Sequence, residues 1–247
     1  MYALAIRALA SKPSVRLLSL SNCNENLAQT ALLMAGSRRR FAQYGCGMCA
    51  PIGWENFDCS PTLWLQRLPV VGVLAKRGAG FSFPENVRYG DIVHGLPLAT
   101  GSLAGIYCSH VLEHLSYEDL RRSLRNTRSY LQEGGIFRLV LPDLKRLAVA
   151  YIESQDEDAS CRFMRESSLG SETRVRGFGG LLRRWAGNAA HLWMWDYPSL
   201  ARQLREAGFT DIRRAVFGDS AEPRFAEVEN HDRWVGNLGI ECRAMAG

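Results

Sequence analysis

SLAGIYCSHVLEHLSYEDLRRSLRNTRSYLQEGGIFRLVLPDL, residues 102–144, decides how this chain folds. Its apolar runs 103–108 and 136–141 are each short enough to be a buried strand. Between them Leu120, Leu124 and Leu131 recur at helical spacing. Ser116 and Asp119 make an S-x-x-D capping pattern ahead of those leucines, and Gly134-Gly135 offers a stop, so the spacing predicts a helix over 117–132. Two strands joined through such a helix run parallel, since a right-handed crossover takes roughly a dozen residues or more. The stretch is one unit of an open α/β sheet.

Upstream, residues 1–37 read as an N-terminal helical extension interrupted at Pro13. Its first twenty residues are basic and free of acids, a pattern shared by a packed amphipathic helix and a mitochondrial presequence; we take the helix. Arg38, Arg39 and Arg40 are a solvated entry to a strand over 41–44, which runs into the turn Gly45-Cys46-Gly47. A second strand ends at Asn56–Asp58, and the interval from Gly47 is too short for a crossover helix, so a loop replaces it. Glycines after a strand let a ligand approach the backbone, and an acid ending the next strand can accept hydrogen bonds from ribose hydroxyls. Residues 61–77 predict a helix broken at Pro69, and 86–91 a third strand. That strand ends in Asp91, either an acceptor for an exocyclic amine or an ordinary turn residue.

Downstream, residues 144–190 read as an irregular insertion, acidic at 156–158 and then basic and glycine-rich from Arg174 to Arg184. Placed after a strand's carboxyl end, it is either a lid over the cleft, its arginines holding an anionic group, or a plain surface insertion. Asp196 and Gly208 bracket a helix over 198–207, and strands follow at 211–217 and 238–244. The polar stretch 218–236 covers the same cleft.

With 247 residues, 47% of them hydrophobic, the chain can bury one sizeable core. A net charge of +5 argues against a dedicated nucleic-acid binder and suits an anionic substrate. Seven scattered cysteines fit reduced thiols in the cytoplasm, and no apolar run is long enough to span a membrane.

In order and spacing, YGCG (44–47), GWENFD (53–58), VRYGDIVHGLPLATGSLAGIYCSHVLEHL (87–115) and LQEGGIFRLVLPDL (131–144) resemble the class I S-adenosylmethionine-dependent methyltransferases, nearest the methyltransferase type 11-like branch. HLWMWDYPSLARQLREAGF (191–209) is similar to that family's C-terminal half. The resemblance implies a doubly wound, mostly parallel seven-stranded α/β sheet, the Rossmann-like methyltransferase fold, over residues 38–247, with the last strand returning antiparallel. It implies S-adenosyl-L-methionine as cofactor, S-adenosyl-L-homocysteine as product, and a small-molecule or glycan acceptor. By position, Gly45 and Gly47 line the methionine moiety, Asp58 holds the ribose, and Asp91 with Ile92 flanks the adenine. Ser109 and His110 face the transferred methyl. The sequence departs from the pattern at Gln43 and Tyr44, where the family often has an acid, and at Cys49, where it has a glycine.

A hydroxyl acceptor requires a base, and His191 and His110 are the candidates. His191 also reads as a structural histidine, and Trp193 and Trp195 as core or as an aromatic face for a sugar or sulfonium. Two other chemistries share these residues. His110-Val-Leu-Glu113-His114 satisfies the H-x-x-E-H pattern of inverted zinc peptidases, which needs a continuous helix. A strand running to Ser109 and a helix capped at Ser116 put the five residues in a junction instead, so no residue is assigned to a metal. Cys46, Cys49, Cys59 and Cys108 match no zinc-ribbon spacing and read as small residues in turns. The remaining rival is a non-catalytic scaffold of the same fold, favoured by the departures at Gln43 and Cys49.

Overall fold

The computed structural model describes residues 40–69, 72, 80–172 and 190–246. The predicted extension, 1–37, and the arginine-rich part of the insertion, 173–189, lie outside the described residues. The strands are β1 (Phe41–Tyr44), β2 (Trp54–Asp58), β3 (Val87–Tyr89), β4 (Leu103–Ser109), β5 (Leu131–Pro142), β6 (Phe209–Ala215) and β7 (Asn237–Ala244). The helices are α1 (Pro61–Arg67), α2 (Tyr117–Tyr130), α3 (Leu144–Glu153), α4 (Ala159–Glu166) and α5 (Tyr197–Glu206). One sheet holds all seven strands in the order β3-β2-β1-β4-β5-β7-β6. The first five are parallel, and β7 runs antiparallel to both β5 and β6. This is the doubly wound α/β sheet with a closing antiparallel strand that the resemblance implies. Among the described residues no helix is long and apolar enough to cross a membrane.

Strand β4 is buried along its whole length, as a central parallel strand covered on both faces must be. On one face Ile106 and Cys108 pack with Leu120 and Leu124 of α2 and with Leu200 and Leu204 of α5. On the other, Phe41, Trp54, Tyr107 and Val140 are covered by Phe225, Val228 and Trp234, which come from the β6–β7 connection. The stretch read as a polar cover therefore also supplies core. Ser116 caps α2 by accepting from the Asp119 amide at 3.2 Å, and Asp196 with Ser199 forms a capping box on α5.

Several boundaries differ from the sequence reading. Helix α2 ends at Tyr130, and Leu131, 1% exposed, turns extended at once to pair with Leu103. Burial of one leucine overrides the glycine stop, so Gly134-Gly135 lies inside β5. Helix α1 stops at Arg67, in keeping with the break read at Pro69, and residues 70–71 and 73–77 of the predicted helix lie outside the described residues; the third strand is only Val87–Tyr89. Strand β6 begins at Phe209, which is buried, and ends before Val216 and Phe217, which are exposed apolar residues that draw the prediction too far. The insertion's described beginning is helical, with Asp143 capping α3 through the Lys145 and Arg146 amides. The β1–β2 connection contains no helix, as the short interval requires.

Two features of this sheet were not legible beforehand. Arg138 of β5 is fully buried, and its guanidinium reaches Glu229 (2.5 Å), Asp219 (2.9 Å) and Glu241 (3.0 Å). The Trp234 ring lies against it at 4.5 Å, an added cation–π contact. At Gly239 of β7, a Cβ would sit 2.2 Å from the Trp234 ring and 2.4 Å from the Ala215 carbonyl oxygen. The backbone atom has no room to yield, so Gly239→Ala is expected to destabilise the fold by at least about 2 kcal/mol. The measurement is the urea midpoint, which should fall with its slope unchanged; an unmoved midpoint would mean the Trp234 cover adapts without cost.

Candidate functional site

Strand order reverses between β1 and β4, the switch point at which ligands enter open α/β sheets. A cleft of about 550 Å³ opens there, at the carboxyl ends of both strands. Its walls include Gly45 and Gly47 after β1, Tyr107 and Ser109 of β4, Phe83, and Arg233.

The glycine turn is built to a specific shape. Gly45 and Gly47 have φ of 68° and 54°, the left-handed region that disfavours a side chain. A Cβ on Gly45 would also lie 2.0 Å from Val111 Cγ2, so the junction after β4 closes directly on the turn. The Gly47 amide donates to Asp58 Oδ2 at 2.9 Å and the Ser60 amide to Asp58 Oδ1 at 2.7 Å. One carboxylate at the end of β2 thus holds both its own loop and the turn after β1. Gln43 is buried and donates from Nε2 to the Cys49 carbonyl and to Asn56 Oδ1, both at 2.7 Å. This glutamine fastens the far end of the same loop. Burial, then the Asp58 carboxylate, pushes the Cys46 thiol up to about 12, so it stays neutral and is no nucleophile.

Of the residues singled out in the sequence, Gly45, Gly47 and Ser109 line the cleft, while Asp58, Asp91, Ile92, His110 and His191 are not among its wall residues. Asp58 reaches the wall through the Gly47 amide. Asp91 accepts from the Val93 amide at 2.8 Å and pairs with His94 Nδ1 at 2.8 Å, and Ile92 is buried beside it. His110 has φ of 54°, and its Nε2 donates to the Arg233 carbonyl at 3.1 Å. Its Nδ1 stands 3.2 Å from Glu113 Oε1. His191 donates from Nδ1 to the Ser167 carbonyl at 2.7 Å, and burial lowers its pKa below the usual imidazole range. The two candidate bases thus flank one residue, Glu113, within the Leu112–His114 turn of 3-10 helix. Of the tryptophans, Trp195 is core at 2% exposure, whereas Trp193 is 45% exposed.

Sequence reasoning missed Arg233 and Phe83. Arg233 closes a short 3-10 turn capped by Asn230 and donates from Nη1 to Ser109 Oγ at 3.2 Å, bringing a cation to the end of β4. No local pattern marks it; only the reading of 218–236 as a cover points there. The Phe83 amide donates to Gln66 Oε1 at 3.0 Å, so a buried glutamine of α1 sets that wall. Its signal was a glutamine among the apolar residues of α1.

No protein-family model matches the chain, and no curated protein does. Among solved structures the chain is similar to a methyltransferase in complex with the Haloferax volcanii Trm112 methyltransferase activator, at 13% identity and a TM-score of 0.44, covering 91% of this chain and 95% of that one. It is similar to a SAM-dependent methyltransferase from Archaeoglobus fulgidus at 17% identity and 0.43, covering 88% and 93%. A SAM-dependent methyltransferase from Thermotoga maritima aligns at 16% identity and 0.44, covering 89% and 95%. The strand order and the antiparallel β7 by themselves establish the seven-stranded, doubly wound α/β fold of this chain.

Proposed function

We propose that this chain is an S-adenosylmethionine-dependent methyltransferase that delivers a methyl group to a small-molecule or sugar acceptor by direct displacement. One observation carries the reading: the turn after β1 is fastened to the acid ending β2, at the switch point of the sheet. The chemistry of Asp58 suits the cofactor. Each Asp58 oxygen accepts one backbone amide and keeps a second lone pair for a ribose hydroxyl. Gly45 and Gly47 would line the methionine moiety, Asp91 and Ile92 would flank the adenine, and Ser109 with His110 would stand near the methyl.

The cofactor, when bound, supplies the reactive sulfonium methyl. The protein's task is to align an acceptor and keep water out, and proximity alone can be worth several kcal/mol, on the order of 7 or more in the best cases. Arg233 and Ser109 would orient the acceptor at the mouth of β4. A hydroxyl acceptor would lose its proton to His110 or His191, each of which has one ring nitrogen committed to a backbone carbonyl and the other able to accept. Residues 218–236, which bring Arg233 to the wall, would cover the cleft. The scattered thiols suit a cytoplasmic enzyme.

The test is calorimetric titration of S-adenosylmethionine and S-adenosylhomocysteine into purified protein. Stoichiometric binding in the micromolar range is expected, followed by transfer of labelled methyl in a screen of sugars and small hydroxyl compounds. No heat at millimolar cofactor would leave the non-catalytic scaffold.

A further inference from the structure

Glu113 is fully buried; its Oε1 stands 3.2 Å from His110 Nδ1, an ion pair when that ring is protonated, and neither oxygen accepts a hydrogen bond from any other group among the described residues. A carboxylate held in a protein interior calls for donors or a cation around it. The surroundings are imidazoles. Three of the chain's five histidines, His110, His114 and His191, gather around this carboxylate.

Each of the three has one ring nitrogen against a backbone carbonyl, which can only accept. His114 Nδ1 meets the Ala190 carbonyl at 3.1 Å, His191 Nδ1 the Ser167 carbonyl at 2.7 Å, and His110 Nε2 the Arg233 carbonyl at 3.1 Å. Those nitrogens therefore carry the protons, and in the neutral rings the remaining three, Nε2 of His114 and His191 and Nδ1 of His110, present lone pairs. Such an outer hydrogen bond from a histidine to a carbonyl is the arrangement that fixes the tautomer of a metal ligand. One ligand atom each from Glu113, His114 and His191 lies within 4.8 Å of the others, and the His114 and His191 rings meet edge to face at 4.9 Å.

We propose that Glu113, His114 and His191 form a binding site for a divalent transition-metal cation of the zinc or cobalt type. Two imidazoles and a carboxylate are a donor set suited to these ions; metal–nitrogen distances of about 2.0–2.1 Å put tetrahedral donors roughly 3.4 Å apart, so the cluster would draw in on binding. The ligand set differs from the one H-x-x-E-H suggests: the second histidine of the core set comes from residue 191, at the return of the insertion, and not from residue 110. The Leu192 and Trp193 amides donate to the Glu113 carbonyl at 2.8 and 3.2 Å, so backbone contacts already hold that return against the junction. A cation would fasten it there. The site does not rest on the methyl-transfer reading; with a metal bound, the free His191 nitrogen would be taken up by it, leaving His110 as the candidate base of that reading.

The experiment uses the full, tag-free chain, stripped with chelator and titrated with zinc or cobalt alone. One equivalent should bind, raise the melting temperature, and with cobalt give a visible ligand-field spectrum of nitrogen and oxygen donors. Glu113→Gln, which keeps shape, and His191→Ala, at a partly exposed position, should each weaken binding at least a hundredfold. His231→Ala, at a solvent-facing histidine outside the cluster, should leave it unchanged. No binding at millimolar metal, or binding undiminished in both cluster variants, would overturn the proposal. Because the readout is metal binding without cofactor, its failure is distinct from a failure to bind S-adenosylmethionine.

Discussion

Arg138→Met is expected to destabilise the protein by about 3–5 kcal/mol, the cost of stranding buried charge when one partner is removed. The methionine keeps most of the arginine stem, so packing is largely preserved and the loss reports the guanidinium. Glu229 would lose its ion pair at 2% side-chain exposure, and Glu241 would keep only Arg213, at 2.7 Å. Arg138→Lys should fall between, since one ammonium cannot serve three carboxylates in the geometry of a planar fork. Asp219 adds a pH signature. Burial works to raise its carboxyl, but hydrogen bonds from Arg213 and Arg138 outweigh that and hold it below the usual carboxylate range. A depressed folded pKa contributes stability above the unfolded value and loses it as pH falls through the folded one, so the wild type should give up this increment in acid. Denaturant unfolding at pH 7 and at about pH 3 measures both effects. A methionine variant with the wild-type midpoint at pH 7 would show that the network contributes nothing.

Asp58→Ala is expected to weaken S-adenosylmethionine and S-adenosylhomocysteine binding at least a hundredfold, about 2.7 kcal/mol. Two losses combine. The carboxylate would no longer meet the ribose, and the Gly47 and Ser60 amides would lose their acceptor, releasing the turn from its shape. Asp58→Asn keeps one side-chain oxygen to accept an amide and should give an intermediate affinity. Calorimetry on the three proteins separates the terms. If the asparagine variant binds like wild type while alanine does not, the residue acts by holding the turn; equal affinity in all three would remove Asp58 from the site.

Much of the architecture was readable because it rests on neighbours along the chain. The spacing of Leu120 and Leu124, the Ser116 and Asp196 caps and the glycine turn at 45–47 are short-range patterns, and the structure realises each of them. The parallel order of β4 and β5 follows from the length of the helix between them. What failed were boundaries where distant burial won, as at Leu131, whose packing beside Leu103 starts a strand ahead of the glycines.

By itself, the sequence determined the α/β class, the run of strands and helices, and the places where backbone must turn tightly, because periodicity, capping and glycine conformation act over a few residues. Only the tertiary structure decided that Gln43 fastens the loop, that Arg138 meets three carboxylates, that Arg233 reaches Ser109, and that His191 joins Glu113 and His114. Those pairings link residues far apart in the chain. A charged or histidine side chain carries no local sign of its partner; the partner is chosen by which strand ends and connections the packed sheet brings together.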